Sequence, residues 1–448
     1  MQKNEIIQLI NNNSKLLNIL RCYNSVDRGI LSSEMNLSWP TIQKDINKLK
    51  EHNIIFYTDS KKDGNEVKKE EYSINANSGY YWGISIGGSQ IKICMIDMKF
   101  QILERDSILS EFIDKYNLFS NVNYHIKKCS EEKQEGYLYA DTPTDFGQLQ
   151  GLLNYILSNI IELNKQLESS PTLILGIGFA FTGAIDNLRK EILEAYSLKC
   201  FHNLPIKYDS LIYPDILAYF SANNISISFD NIVKAAIVSE KYSLYMSENP
   251  NGIYKTKKNI GCLYLGSGFG SAFILNNQLY RGTSNFSELG HIDIPDPFEL
   301  LAMRTTKDNC DSLCSCGGKN CLEHKIRSHV FGMTRDVFRS FSASELKEIF
   351  FQREDANIRL QILAYYINSA IKTITNILNV DLVILTGKLT PFKEELTPLL
   401  YSEKSRNPIT YTNKDCSLVT STYGPLAPSI GAAILSSFPD ATDTVNWY

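Results

Sequence analysis

Cys314-Ser315-Cys316-Gly317-Gly318-Lys319-Asn320-Cys321 sets three thiols within eight residues of a glycine-rich turn. Thiolates are soft ligands, and three at this spacing can close around one zinc ion if a fourth ligand arrives from elsewhere. Two candidates stand upstream: His291, within Ser287-Glu288-Leu289-Gly290-His291, and Cys310. Four protein ligands make a structural site, whereas a catalytic zinc keeps one position open for water. The alternative is a group of reduced, unliganded cysteines. Ten cysteines in 448 residues are too few for a disulfide scaffold, yet four fall between Cys310 and Cys321. Such local crowding in a cytosolic chain points to metal.

Upstream of this turn, Cys262-Leu263-Tyr264-Leu265 runs into Gly266-Ser267-Gly268-Phe269-Gly270-Ser271 and continues as Ala272–Leu275. The pattern reads as strand, glycine turn, strand. No helix opens where a dinucleotide phosphate would need its N-terminus. Ile225 to Asn231 alternates as a strand and delivers Asp230 at its end. A strand-end acid suits a general base, and it also suits the cap of a following helix. Tyr81-Trp82-Gly83-Ile84-Ser85-Ile86-Gly87-Gly88-Ser89-Gln90-Ile91 predicts two strands joined by a Gly-Gly turn. Such a turn uses positive φ and lets backbone amides approach a phosphate, although alone it reads better as a plain structural hairpin.

Further elements fill in an α/β alternation: a helix over Leu149–Leu167 and a buried strand over Thr172–Phe181 ending in Thr182-Gly183. A helix over Ile358–Leu378, a strand at Leu382–Leu385 before Gly387, and a small-residue helix from Pro428 follow. Residues 113–150 are polar, with a Lys/Glu cluster from Lys127 to Lys133, and read as a surface excursion.

The first 78 residues have a different texture. Apolar positions recur with a helical period in three runs: Leu16, Leu17, Ile19 and Leu20; Ile30, Leu31 and Met35; Ile42, Ile46 and Leu49. Ser38 is placed to cap the last helix, and Pro40 sits in its first turn. Ile54–Tyr57 and Tyr72–Ile74 then flank a polar tip carrying Lys61, Lys62, Lys68 and Lys69. Three helices and a two-stranded wing predict a winged helix-turn-helix, whose third helix enters the major groove. Trp39, Thr41, Gln43, Lys44 and Lys48 are its candidate DNA contacts, with Lys61 and Lys62 in the wing. Gln pairs with adenine, and Lys binds phosphate or guanine. The alternative is a helical protein-contact module whose lysines are a solvated face.

Length implies two or three folding units. An apolar fraction of 43% and a charged fraction of 21% fit a soluble globular chain and exclude a collagen-like or disordered one. Net charge is −4, so no global basic field announces nucleic acid. Residues 1–78 carry net +1 (11 Lys/Arg, 10 Asp/Glu) and the remainder net −5 (34 and 39), an asymmetry too small to identify a DNA-binding arm. Met1 to Asn13 has no signal-peptide core, and apolar stretches near Leu173–Ile185 and Ile260–Leu275 are broken by glycine and, in the second, serine. The expected location is cytoplasmic, with no membrane partner.

In their order along the chain these features resemble the ROK family (repressor, open reading frame, kinase). The sharpest parts are Glu288-Leu289-Gly290-His291, with Gly282 before it, and Cys314-x-Cys316 followed by Cys321-Leu322-Glu323. Broader agreement comes from Gly83–Ile91, Thr182-Gly183, Asp230, Gly266–Gly270, Gly387 and Gly431-Ala432-Ala433. The resemblance implies a sugar-kinase/actin-like ATPase (ribonuclease H-like) fold behind the winged helix. It implies one structural zinc on His291, Cys314, Cys316 and Cys321, shaping a neighbouring sugar site contacted by Asp230, Glu288, His291 and Glu323. Such a polar set rejects analogues that leave it unpaired. The His291–Cys314 spacing is longer than the family's, which keeps Cys310 as a substitute ligand.

Kinases of the family carry an acid at the position of Ser85, a basic residue at Gln90 and an Asn at Phe229. Phosphoryl transfer depends on metal and cationic groups that neutralise the phosphate. These departures leave Asp230 a vestigial general base, and Ser85, Gly87, Gly88, Gly266, Gly268 and Gly270 degenerate phosphate loops.

The expectation is therefore an α/β chain in three parts. Residues 1–78 form the winged helix, 79–230 a first lobe to which 429–448 return, and 231–428 a second lobe with the zinc. The cleft between lobes takes the ligand. The expected function is a sugar-responsive transcriptional regulator, a repressor of carbohydrate genes without kinase activity. It would bind a double-stranded operator as a homodimer or higher homo-oligomer. The alternatives are an ATP-dependent sugar kinase and a regulator controlled by a protein partner.

Overall fold

The computed structural model describes residues 3–23, 25–60, 69–103, 114–120, 127–128, 137–167, 170, 172–187, 189–201, 204–246, 257–282, 287–305, 313–400 and 416–438. The expected winged helix is present. Helix α1 (Lys3–Asn12) precedes the three anticipated helices, α2 (Ser14–Tyr23), α3 (Arg28–Met35) and α4 (Trp39–Glu51). Asp27 caps α3, its Oδ1 accepting from the amides of Gly29 at 2.8 Å and Ile30 at 3.0 Å. Asn36 ends α3 in the left-handed conformation and opens the turn into α4. Ser38 takes the cap position of α4, but its hydroxyl pairs with Thr41 Oγ1 at 2.9 Å rather than with a helix amide. Strands β2 (Ile55–Ser60) and β3 (Lys69–Ile74) form the antiparallel wing, and β1 (Val26–Asp27) pairs with β3 on its other side.

Strands β4 (Gly79–Ile86) and β5 (Gln90–Asp97) form the expected hairpin at the centre of a six-stranded sheet. Beyond β4 lie β8 (Leu173–Phe181) and β12 (Ser226–Asn231), both parallel to it; beyond β5 lie β7 (Leu138–Asp141) and β6 (Lys127–Lys128). The polar segment read as a surface excursion thus contributes two strands. At two and four residues, these strands are too short to show a period in sequence. Tyr80, Trp82, Ile84 and Ile86 of β4 pack with helix α5 (Phe146–Gln166) in one core. The opposite face receives the closing helix Ala427–Leu435. Gly83 is what admits it: a Cβ there would lie 1.8 Å from the Ser429 carbonyl oxygen. This glycine serves packing, not phosphate approach. Neither Gly87 nor Gly88 adopts positive φ, contrary to expectation, and Gly88 is instead needed for room beside the Ser197 carbonyl, 2.9 Å from where a Cβ would stand.

A small sheet of β9 (Ala184–Asp186), β10 (Glu191–Glu194) and β11 (Ile206–Lys207) and helix α6 (Pro214–Ala222) precede β12. Helix α7 (Ile232–Met246) follows directly from β12, its first amides accepted by Asn231 Oδ1 (Val233 at 2.8 Å). Asn231, not Asp230, is the cap. A second sheet runs β15-β14-β13-β16-β17, built from β13 (Ile260–Leu265), β14 (Phe269–Leu275), β15 (Gln278–Leu279), β16 (Leu382–Gly387) and β17 (Ser417–Thr420). Side chains from α8 (Leu322–Lys325), α9 (Arg335–Ser340) and the long α10 (Ala356–Leu378) join the core on one face, while α7 and α11 (Ala427–Leu435) pack together.

The winged helix is joined to this body by buried polar contacts. Arg21 Nε of α2 donates to the Met98 carbonyl at 2.8 Å, and its guanidinium lies 4.0 Å over the Phe100 ring. Tyr242 of α7 packs edge-on against Phe100 at 4.9 Å and donates its hydroxyl to Asn18 Oδ1. Among the described residues no helix is long and apolar enough to cross a membrane.

Candidate ligand cleft and metal centre

Two short backbone pairings bring the metal-type ligands together. Leu322 N donates to Ile292 O at 3.0 Å and Ile294 N to Asn320 O at 3.2 Å, laying the segment after His291 beside Cys321. The ligand atoms of His291, Cys314, Cys316 and Cys321 all lie within 4.8 Å of one another. Cys316 Sγ is 3.8 Å from Cys321 Sγ, and His291 Nδ1 is 3.6 Å from Cys314 Sγ. A tetrahedron with bonds of about 2.3 Å has edges of roughly 3.8 Å, so the donor set fits one zinc-sized ion. Cys314 and Cys321 share a hydrogen bond that, with no ion between them, pulls the Cys314 thiol well below its ordinary range and pushes that of Cys321 above it. A thiolate is the form a metal takes. Cys310 lies outside the described residues.

Beside this cluster is a cavity of about 450 Å³ whose walls include Glu288, His291 and Glu323. His291 faces both ways, with Nδ1 toward Cys314 and Nε2 3.6 Å from Glu288 Oε2. Glu323 is buried; its Oε2 accepts from the Phe269 amide at 2.9 Å, and burial pushes its carboxyl up. Gly268 leaves the space for that carboxylate, since a Cβ there would lie 2.5 Å from Oε2. Tyr196, largely exposed, also lines the cavity, offering the kind of apolar ring face on which sugars stack.

Asp230 is not grouped with these residues. Its side chain is 3% exposed, with Oδ2 accepting from Arg281 Nη1 at 2.6 Å and Oδ1 from the Asn231 amide at 2.7 Å. Both oxygens are engaged, and the residue does not form part of the cavity wall. Phe229 before it is stacked between Phe179 (4.9 Å, 11°) and Tyr208 (4.0 Å, 23°). An aromatic sandwich stands where the kinase pattern has an amide. Ser85 Oγ pairs with Ser429 Oγ at 2.8 Å. Its partner there is thus a neutral hydroxyl.

Ser85, Gly87, Gly88, Gly266, Gly268 and Gly270 all line the cavity. Sequence reasoning missed several other lining residues: Lys92, Arg335, Lys388 and Thr390. Lys92 had a visible signal, since it lies two residues past Gln90 on the same strand face. Lys388 directly follows Gly387. Arg281 precedes Gly282, but its partner Asp230 is 51 residues away.

On the winged helix, Thr41, Gln43, Lys44 and Lys48 are exposed along α4. Trp39 is half-buried against Tyr72 of the wing (5.8 Å between rings), so it braces helix against wing rather than standing open to a groove. Lys61 and Lys62 lie outside the described residues.

A ROK family profile matches residues 148–437, and a profile described as TFA2 winged helix domain 2 matches residues 11–68. The xylose repressor of Bacillus spizizenii is 22% identical over 415 residues, covering 91% of this chain and 89% of that protein. The N-acetyl-D-glucosamine kinase of Haemophilus influenzae is 28% identical over 320 residues, covering 70% and 85%. Among solved structures, a ROK family transcriptional regulator homologous to the E. coli MLC protein aligns with a TM-score of 0.62 at 16% identity, over 97% of this chain and 98% of its own. The likeness to that structure establishes the fold, a winged helix ahead of the two-sheet body. With the family profile spanning nearly two thirds of its length, the chain belongs to the ROK family.

Proposed function

We infer that this protein is a sugar-responsive, DNA-binding transcriptional repressor without sugar-kinase activity. The observation that carries this reading is the Asp230–Arg281 pair. Asp230, the strand-end acid expected as the general base, is buried and has both oxygens occupied, while Glu288, His291 and Glu323 still line a cavity. Ser85 and Phe229 support it further, because neither offers the charge or amide that phosphoryl transfer would use. Glu288 and Glu323 would accept sugar hydroxyls, and His291 Nε2 would join them. Asp230 would contribute only in a ligand-bound arrangement that frees it from Arg281. Xylose is the first effector to try, because relatives carry the name xylose repressor.

His291, Cys314, Cys316 and Cys321 would hold one zinc ion, which when bound supplies a cross-link that shapes the cavity wall. The parts of the chain would be a winged helix at 1–78, a first lobe at 79–230 with 429–448, and a second lobe at 231–428. Thr41, Gln43, Lys44 and Lys48 would face DNA, and a homodimer would read two half-sites.

Coupling requires an element touching both sites, and α7 is that element. Asn231, Ile232 and Val233 at its start line the cavity. Glu240, on its buried side, accepts from Ser421 Oγ and from the Thr422 amide at 2.9 Å, fixing the cavity-lining stretch Thr422–Pro425. Tyr242, two residues on, bonds Asn18 of the winged helix. The test is ATP turnover measured with a sugar panel that includes xylose. Turnover at background alongside sugar binding supports the repressor; sustained sugar phosphate formation overturns it.

A further inference from the structure

A second set of residues in the cavity has chemistry that sugar hydroxyls do not use. Lys92 of β5, Arg335 of α9 and Lys388 after β16 bring three cations from three separate elements to its wall. Lys92 is the register partner of Ser85 across the hairpin. Where the kinase pattern has an acid, this chain therefore has a neutral hydroxyl opposite a lysine. Lys388 Nζ donates to the Phe338 carbonyl at 2.7 Å and lies 4.6 Å from the Phe338 ring centre, neither of which carries a full negative charge. Burial, then the charge of Lys92, push its amine down to about 7. Arg339 adds like charge, and Glu345 opposes it.

Two buried donors in the same wall lack partners. Arg335 gives Nη2 to Ser197 Oγ at 2.8 Å, but its Nε has no hydrogen-bond partner among the described residues, nor does Thr390 Oγ1. Buried unpaired polar atoms are uncommon in native proteins and call for a ligand or water. Cations and orphaned donors converging on one cavity are what a multivalent oxyanion satisfies, through several charge-assisted hydrogen bonds.

We propose that Lys92, Arg335, Lys388 and Thr390 form a binding site for a phosphate group carried by a small molecule. The site shares one cavity with the Glu288–His291–Glu323 set, and the charge of Arg335 acts on Glu323, but the proposed site stands whether or not that set binds sugar. It replaces the metal-assisted phosphate contact of a kinase with direct contact to side-chain cations.

The test uses the full-length protein in phosphate-free buffer. Calorimetric titration and melting temperature are read with inorganic phosphate, with glucose 6-phosphate against glucose, and with AMP against adenosine. The three arms distinguish a free anion, a sugar ester and a nucleotide as the source. At least one phosphate-bearing probe is expected to bind, with affinity falling roughly tenfold or more in Lys388→Met and in Lys92→Met and largely kept in Lys388→Arg. Lys388→Met should melt no lower than the parent without phosphate, because it removes a buried like-charge neighbour of Lys92, and its phosphate-induced stabilisation should vanish. No binding by any probe, or equal binding by the parent and both methionine variants, overturns the proposal.

Discussion

Tyr242 of α7 donates its hydroxyl to Asn18 Oδ1 of α2, a bond between residues 224 apart in sequence and both buried. It lies two residues along the same helix from Glu240, whose carboxylate holds the Thr422–Pro425 stretch of the cavity. Ligand cleft and DNA-reading unit therefore share one helix. Arg21, on the same helix as Asn18, holds this seam as well through Met98 and Phe100.

Tyr242→Phe removes the hydroxyl and leaves Asn18 Oδ1 without this donor. The sugar effect on DNA affinity should shrink by about 0.5–2 kcal/mol, roughly 2- to 30-fold in the ratio of affinities with and without sugar. Sugar affinity itself should be nearly unchanged. Anisotropy titrations of labelled duplex, with and without saturating sugar, check this.

The thiol cluster makes a compositional prediction. Protein purified without chelator should carry about one zinc per chain. Cys316→Ser, at the exposed ligand, should lose it and melt at lower temperature, because metal binding is folding free energy. Elemental analysis of freshly purified protein decides the matter; absence of zinc refutes it.

On α4, Gln43→Ala should relax base preference at one position at a cost of about 1–3 kcal/mol. Lys44→Ala or Lys48→Ala should instead weaken all duplexes alike and lower the salt slope by about 1. Trp39→Ala should act through stability, since its ring braces Tyr72. Binding curves at several salt concentrations separate the three behaviours.

Lys388 gives a pH signature. Its amine is pushed down from 10.5 to about 7 by burial and by Lys92, with Arg339 adding to the effect and Glu345 opposing it. Between those values the unfolded chain holds the proton and the folded chain does not, so this residue makes stability rise with pH. Lys388→Met should therefore be most stabilising relative to the parent below about pH 7, and the difference should fade toward pH 10.5. Paired melting curves across that range check the sign.

The parts legible in sequence were those whose signal is local. The β4–β5 hairpin, the α3–α4 turn with its following wing, and the Cys314–Cys321 cluster each carry their pattern within a few residues. The Gly-Gly turn was legible as a turn but not in its reason. Gly88 is small because Ser197, far along the chain, crosses it. Asp230 showed as a strand-end acid, yet its state is set by Arg281 from a different element. Lys92, Arg335 and Lys388 are unremarkable cations until the two sheets face each other. Strand β7 was hidden because four residues, Leu138–Asp141, in a polar stretch are too few to show a period.

The central claim, that a sugar in the cleft governs DNA affinity without being phosphorylated, is tested most directly on an operator duplex selected from a random library with the full-length protein. Its affinity is measured by anisotropy with and without xylose and a wider sugar panel, with ATP turnover followed on the same samples. The expected result is a 5- to 150-fold change in affinity with at least one sugar, abolished by Glu288→Gln, with turnover at background. Unchanged operator affinity with every sugar, together with ATP-dependent formation of sugar phosphate, would contradict it.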